Sequence, residues 1–477
     1  MDRLSPLDTS FLHVEDDVSH MHLGLIGAFE GPPPPHDELL AALEPKLHSA
    51  PRYHQRVRFV PLEAGRPVWH DDPHFALGYH VRRTALPAPG GHADLRALVG
   101  RIMSQQLDRA RPLWELWVVE GLTGGRWALI AKLHHAMVDG ISGSSLLGVL
   151  LDEQRDPPAP EPVTWEPRPE PGAVSLVSAA LADRVRRPWG DLRAVVTAFG
   201  APRVLAAQAA ATARGLAAFS GLAQAPAPSA LNGPLGPHRS WCWARADLDD
   251  VRRIRRAHGE TVSFNDVVLA AITGGLRTLL ADAGEPVDRS VRTLVPVSVR
   301  TRDASGVPDN RVSAMFADLP LGIEDPVARL LAVSEHMRRL KASHEADAGQ
   351  VLTSMGVFAP ELALGLGVRI ATRLPQRNVN TVTTNVPGPQ HPLYLAGRRM
   401  LEAYPYVPLA GHVRMGVAIY SYDGALGFGV TGDADAPLDV RVLCRGIETA
   451  MRELVATTRG RAAAASASPA EARAGDG

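Results

Sequence analysis

The feature that most constrains this chain is a proline-dense stretch, PPAPEPVTWEPRPEP at residues 157–171. Each proline lacks the N–H that a helix or a ladder needs and fixes its own φ, so the stretch reads as an extended linker. The chain it divides has 477 residues, too many for one ordinary core, because domains usually run about 100–200 residues. The expected organisation is a first lobe over 1–155, a linker and helical crossover over 156–238, a second lobe over 239–459 and a disordered tail over 460–477. The tail lacks large apolar side chains and so cannot offset the entropy of ordering.

Both lobes mix the two periodicities. In the first, His22–Phe29 and Trp127–Leu133 read as strands, whereas His36–Leu43 and Ala93–Leu107 read as helices. In the second, Ser263 is placed to cap a helix over Phe264–Leu280, and Val291–Val299 alternates like a strand that leads into a loop. The fold class is therefore α/β. Between the lobes, Val174–Leu222 is rich in Ala, Leu and Val, with arginines at 184, 186, 187, 193, 203 and 214, and is broken by Pro188 and Pro202. It reads as amphipathic helix, first as a crossover between lobes and second as a basic surface resting on anionic lipid.

Composition removes several functions. Hydrophobic residues at 45% and charged residues at 21% are the balance of a globular protein with a sizeable interior. With 50 Lys+Arg against 51 Asp+Glu the net charge is −1, so no global field favours nucleic acid. The two cysteines, Cys242 and Cys444, form no CxxC or Cys/His cluster, so no metal is expected and the compartment is read as reducing. No apolar core follows a basic start at the N-terminus and no run of about 18 apolar residues is seen, so neither secretion nor membrane spanning is expected. The location read from this is cytoplasmic.

The chemistry is concentrated in WALIAKLHHAMVDGISGSSLLGVLL, where a buried-strand pattern runs into His134 and His135, then Asp139 and Gly140, then a helical pattern from Ser142. Successive strand residues point to opposite faces, so the two histidines cannot both address one site or build a metal centre. One of them faces the cleft. An imidazole suits removal of an alcohol proton near neutral pH, provided a neighbour fixes its tautomer. Asp139 is placed either to orient the ring or, the favoured reading, to hold the loop by an ion pair; Gly140 allows a tight exit. Without further information, a buried pair of satisfied histidines beside an ordinary Asp-Gly turn fits the same letters. Ser142, Ser144 and Ser145 sit in no GxSxG elbow and read as caps and packing residues. The GxGxxG of Gly427–Gly432 runs into Asp-Ala-Asp-Ala-Pro and reads as strand and turn.

HHAMVDG is similar to the HHxxxDG motif of the coenzyme-A-dependent acyltransferase superfamily, and within it the chain resembles the bacterial wax ester synthase/diacylglycerol acyltransferase family. The blocks LSPLDTSFL, RPLWELWVVEGL (111–122), SFNDVVLAA (263–271), VPVSVR (295–300), TNVPGP (384–389) and SYDG (421–424) resemble family blocks in the family's order. The likeness is nearly end to end, leaving out the linker and tail, and departs at Asp309-Asn310, where the family carries Gly-Asn. It implies two chloramphenicol-acetyltransferase-like lobes, each a mixed sheet with packed helices, meeting along a tunnel. It also implies a catalytic set of His134, His135, Asp139 and Gly140, with His135 as general base. Pro112, Leu113, Trp114, Asn265 and Asp266 become candidates for substrate binding, and Arg300 for the ion-pair partner of Asp139. Leu113 and Trp114 equally suit core packing, and Asn265 suits a first-turn helix residue.

The implied reaction is direct transfer from long-chain acyl-CoA, a substrate and not a cofactor, to diacylglycerol, or to a long-chain alcohol to give a wax ester. No other cofactor is called for. Diacylglycerol is the expected acceptor, and peripheral contact with the inner membrane face or a lipid droplet is expected with it. A related transferase acting on a polyketide alcohol or carrier-bound amine, and a silent lipid- or CoA-binding protein of the same fold, are the rival readings.

Overall fold

The computed structural model describes residues 2–61, 64–137, 145–158, 165–180, 182, 229–259, 261–302, 308–342 and 379–467. The elements run β1 (Asp2–Arg3), α1 (Pro6–Val14), β2 (His22–Phe29), α2 (His36–His48), β3 (Gln55–Arg58), β4 (Val68–Asp71), α3 (Leu77–His80), β5 (Val81–Ala85), α4 (His92–Met103), β6 (Trp114–Leu122), β7 (Arg126–His134) and α5 (Ser145–Leu150). They continue with β8 (Arg239–Asp247), α6 (Leu248–His258), α7 (Phe264–Asp282), β9 (Ser290–Arg302), β10 (Pro308–Pro320), α8 (Pro326–Ala342), β11 (Thr381–Pro387), β12 (Tyr394–Leu395), β13 (Arg398–Tyr406), β14 (Met415–Tyr422), β15 (Ala425–Asp433) and α9 (Val440–Ala467). The α/β reading holds in both lobes, and the alternating runs become the elements expected of them. Asp309 and Asn310 lie in β10, opposite Thr301 and Arg300 of β9.

Two six-stranded mixed sheets carry the lobes, in the orders β12-β13-β2-β7-β6-β5 and β10-β9-β11-β14-β15-β8, and β1-β4-β3 forms a small third sheet. In the second sheet β11 runs parallel to β9 and β14, while the other pairs are antiparallel. One face of β14 sends Val417 and Ile419 into the helix-packed second-lobe core. The alternate residues Tyr420 and Tyr422 enter the first-lobe core with Leu113, Trp114, Ala136 and Met137, as the two-residue period of a strand requires.

The division by sequence assigned 239–459 wholly to the second lobe, and β12 and β13 depart from it. β13 pairs antiparallel with β2, so Arg398–Tyr406 completes the first sheet. The same strand lies against β15, where a Cβ at Gly427 would stand 2.5 Å from the Ala403 carbonyl oxygen and one at Gly429 1.6 Å from that of Pro405. The glycine run that reads as strand and turn thus also permits backbone-to-backbone approach between lobes. No local signal in 398–406 distinguishes a strand of one lobe from a strand of the other.

The described linker residues 165–171 form neither helix nor strand, in keeping with their prolines, and are fixed to the first lobe. Trp165 stacks on His54 with centroids 4.6 Å apart. Arg168 gives Asp71 a pair of hydrogen bonds from Nε and Nη2, each 3.0 Å. Residues 173–180 are helical, with Leu176 and Ala180 packed on Val60 and Val68. The crossover over 183–228 lies outside the described residues. At the C-terminus α9 continues to Ala467, into the stretch expected as tail, because the alanines of RAAAASA have the highest helix propensity; 468–477 lie outside the described residues. Among the described residues α7 is long and apolar enough, by length and composition, to cross a membrane, and most of it is buried in the second-lobe core.

Gly429→Val is expected to destabilise the fold by at least about 2 kcal/mol, because the new side chain would displace the Pro405 backbone. Thermal unfolding measures it, and a melting temperature equal to wild type would remove the close-approach argument.

Candidate active site

The segment expected to carry chemistry sits where β7 ends. β7 lies between β2 and β6, with His22 opposite His134 and Trp114 opposite Leu133. At its last residue the His134 N–H donates to the Leu113 carbonyl at 2.9 Å, and the His135 N–H donates to the Met21 carbonyl at 2.8 Å. The backbone then turns through one turn of 3-10 helix over His135–Met137. The strand end is therefore held from both sides before the chain reaches 138–144, which lie outside the described residues together with Asp139 and Gly140.

The two histidines part as a strand dictates. His134 is 1% exposed; its Nδ1 accepts from the Ala136 N–H at 3.1 Å, which places the ring proton on Nε2. Nε2 faces Glu15 Oε2 at 3.5 Å. His135 is less buried, and its ring lies over Phe11 with centroids 3.8 Å apart and planes 34° from parallel. His134 is thus turned inward to a buried acid, and His135 is the one that lies against α1 on a partly exposed surface.

Beneath this turn is a compact charged cluster. The Glu15 side chain, 1% exposed, is paired with Arg109, whose Nε donates to it at 3.0 Å. Burial alone would raise the Glu15 carboxyl, but His134 and Arg109 overcome it and hold the group down at about 2. His22 Nε2 stands 3.6 Å and His20 Nδ1 4.0 Å from the other carboxylate oxygen. Burial lowers both histidines, His22 well below its ordinary value, with the Lys132 charge adding to it. Lys132, itself pushed down to about 8 by burial, donates to the carbonyls of Ile102 (2.9 Å) and Gln105, capping the end of α4. Among the described residues no group of three or more His, Cys, Asp or Glu is arranged to hold a metal ion.

The remaining candidates divide. Leu113 and Trp114 are core residues, 0% and 1% exposed. Trp114 donates from Nε1 to the Tyr53 carbonyl at 2.8 Å and stacks on His80 at 4.5 Å. Of the three, Leu113 reaches the histidine pair, its carbonyl fixing His134, while the Pro112 carbonyl accepts from the Trp114 N–H within the segment. Asn265 and Asp266 open α7 behind the Ser263 cap. Asp266 accepts from the Ser263 N–H at 2.8 Å and from Ser334 Oγ at 2.9 Å, so its carboxylate holds helix to helix. The Asn265 side-chain oxygen accepts from Asn385 Nδ2 at 2.7 Å, joining α7 to β11. Arg300 is placed through its backbone opposite Asn310, and the ion pair expected with Asp139 lies outside the described residues. Two cavities among the described residues lie on the second lobe, around Arg245, Asp250 and Arg452 and around Arg277, Arg329 and Glu453, and His135 lines neither.

Sequence reading missed Phe11, Glu15, Arg109 and Asn385. Phe11 and Asn385 stand inside blocks already singled out, LSPLDTSFL and TNVPGP, and Glu15 follows Phe11 by four residues, one helical turn. Arg109 carries no local signal. Because the folded Glu15 carboxyl is held below its ordinary 4.5, its ionisation stabilises the fold above that value, and the contribution fades as pH falls toward 2. Glu15→Gln is therefore expected to melt lower than wild type at pH 7 and to lose less further stability between pH 5 and pH 2.5. Parallel melting curves across that range would contradict the buried ion pair.

Known proteins place this arrangement. A model of the wax ester synthase/diacylglycerol acyltransferase catalytic domain matches residues 4–268, and one of the C-terminal domain of the same family matches 309–455. A probable diacylglycerol O-acyltransferase of Mycobacterium tuberculosis is 39% identical over 465 residues, covering 97% of each chain. The solved wax ester synthase/diacylglycerol acyltransferase from Marinobacter aquaeolei superposes with a TM-score of 0.67 at 25% identity, over 96% of this chain and 100% of that one. The first condensation domain of the CDA synthetase, at 16% identity and a TM-score of 0.55 over 96% and 95% of the two chains, shares the fold. With both halves matched in order and the histidine pair at the strand end, the chain belongs to the wax ester synthase/diacylglycerol acyltransferase family and is an acyl-CoA-dependent acyltransferase.

Proposed function

We propose that the protein transfers a long-chain acyl group from acyl-CoA to diacylglycerol, giving triacylglycerol and free CoA, with His135 as general base. The observation that carries the assignment to His135 is the divergence of the two histidines: His134 is sealed against Glu15, while His135 stands partly exposed on a pinned turn. In this reading the imidazole of His135 takes the hydroxyl proton as the alcohol oxygen attacks the thioester carbonyl. The C–S bond then breaks, and the imidazolium returns the proton to the CoA thiolate. Base catalysis of this kind contributes about 10²–10⁴-fold, and holding both substrates in one geometry supplies much of the rest. The scheme uses acyl-CoA as substrate and calls for no other cofactor. Asp139 and Gly140 shape the turn, Arg300 is the proposed partner of Asp139, Asn265 is the proposed substrate-facing residue, and Leu113 and Trp114, next to Pro112, support the strand end from the core.

Acyl chains and diacylglycerol reside in a lipid phase, so the working location is the cytoplasmic side of a membrane or a lipid droplet, held peripherally. Phe59 (42% exposed) and Val174 (83% exposed) are large apolar side chains left outward on the first lobe, near the start of the basic segment 174–222. Each CH₂ of an acyl chain taken from water favours binding by about 0.8 kcal/mol, so affinity should rise with chain length.

Purified protein is expected to release thiol from palmitoyl-CoA only when diacylglycerol or hexadecanol is supplied, with triacylglycerol the larger product on thin-layer chromatography. His135→Ala should lower the rate by at least about 10²-fold with an unchanged melting temperature. Thiol release without acceptor would make the protein a thioesterase, and ester from neither acceptor would favour a transferase for another alcohol or a silent binding protein. Phe59→Asp with Val174→Asp should reduce cosedimentation with phosphatidylglycerol vesicles; equal partitioning would remove those side chains from the membrane contact.

A further inference from the structure

The block LSPLDTSFL is absorbed by none of the roles above, yet it forms α1, and α1 touches both histidines. Adjacent residues at a strand end point apart, so one neighbouring side chain cannot orient both rings. Two side chains one helical turn apart can. Phe11 lies under the His135 ring at 3.8 Å. Glu15, four residues on and capping the same helix, faces His134 Nε2 at 3.5 Å.

The helix is itself fixed along its length. Ser5 and Asp8 form a capping box, with the Asp8 N–H donating to Ser5 Oγ at 3.0 Å and the Ser5 N–H to Asp8 Oδ2 at 3.3 Å. The Leu4 N–H donates to the Pro67 carbonyl at 2.9 Å. Leu12 is buried in the first-lobe core, and Arg109 Nη2 donates to its carbonyl at 3.1 Å while pairing with Glu15. Arg109 therefore clamps the helix end and the carboxylate together.

We infer that α1 is the positioning element of the acyl-transfer site, with Phe11 setting the plane of the His135 ring and Glu15, clamped by Arg109, fixing the His134 ring that anchors the turn. This rests on the reading of His135 as the base. Phe11 limits rotation of a ring that must meet a hydroxyl within hydrogen-bond distance, and its face also favours the imidazolium formed as the proton is taken. Phe11 and Glu15 are positioning residues and touch no reacting atom in this scheme.

The test compares Phe11→Leu, which keeps apolar bulk and removes the ring, with Phe11→Tyr, which keeps the ring, on the full chain with palmitoyl-CoA and diacylglycerol. Misplacing a catalytic group by about 1 Å can cost on the order of 10²-fold, so Phe11→Leu is expected to lower kcat by about 10- to 100-fold with KM for palmitoyl-CoA within about twofold. Phe11→Tyr should retain kcat within about threefold, since the stacking face is kept. Glu15→Gln should lower kcat with the same unchanged KM. Wild-type kcat in Phe11→Leu, an equal loss in Phe11→Tyr, or a rise in KM alone would each overturn the inference. His135→Ala is measured beside them: if it is inactive while Phe11→Leu is fully active, positioning by α1 fails alone, and if it is active, the base assignment fails and takes this inference with it.

Discussion

A carboxylate sealed from water beneath a strand end is the constraint around which the first lobe is arranged. Glu15 is 1% exposed at its side chain and carries its charge only because Arg109 and His134 meet it there. Breaking such a pair leaves one charge buried and uncompensated, which costs far more than the pair itself contributes. Helix α1, the segment before β2 and the residues after α4 must consequently converge on one point, and that point lies directly under the turn carrying His135. In the proposed reaction this charge organises the turn without taking part in the proton transfer.

The rest of the scaffold serves the same strand end by backbone. The Leu113 carbonyl holds His134 and the Met21 carbonyl holds His135, so the residues just ahead of the two strands flanking β7 each contribute one hydrogen bond at the place where the ladder stops. Trp114, behind Leu113, is locked by a hydrogen bond and a stack, which explains how a core tryptophan bears on a site it does not enter. Among the described residues β13 joins the two lobes, paired with β2 and pressed against the glycines of β15.

Much of the fold was legible locally. The Phe264 helix follows from the Ser263 cap and a 3.6-residue period, and β2 and β7 from short apolar runs that read as strands. α9 runs past the expected start of the tail because alanine propensity extends a helix without large apolar side chains. In the site, the pairing of Asn265 with Asn385 and of Glu15 with Arg109 joins residues 120 and 94 positions apart, separations over which no periodicity carries information.

By itself the sequence determined the element types, the two-lobed division, the strand-turn-helix context of the histidine pair and, through its ordered blocks, the family. These follow from short-range sterics, hydrogen-bond inventory and burial pattern, all of which act within a few residues. Only the tertiary structure decided which histidine is sealed and which is presented, that Phe11 and Glu15 lie against them, and that Arg398–Tyr406 completes the sheet of the other lobe. Those outcomes depend on which distant surfaces are buried against each other, and burial between distant segments is a property of the whole packed chain.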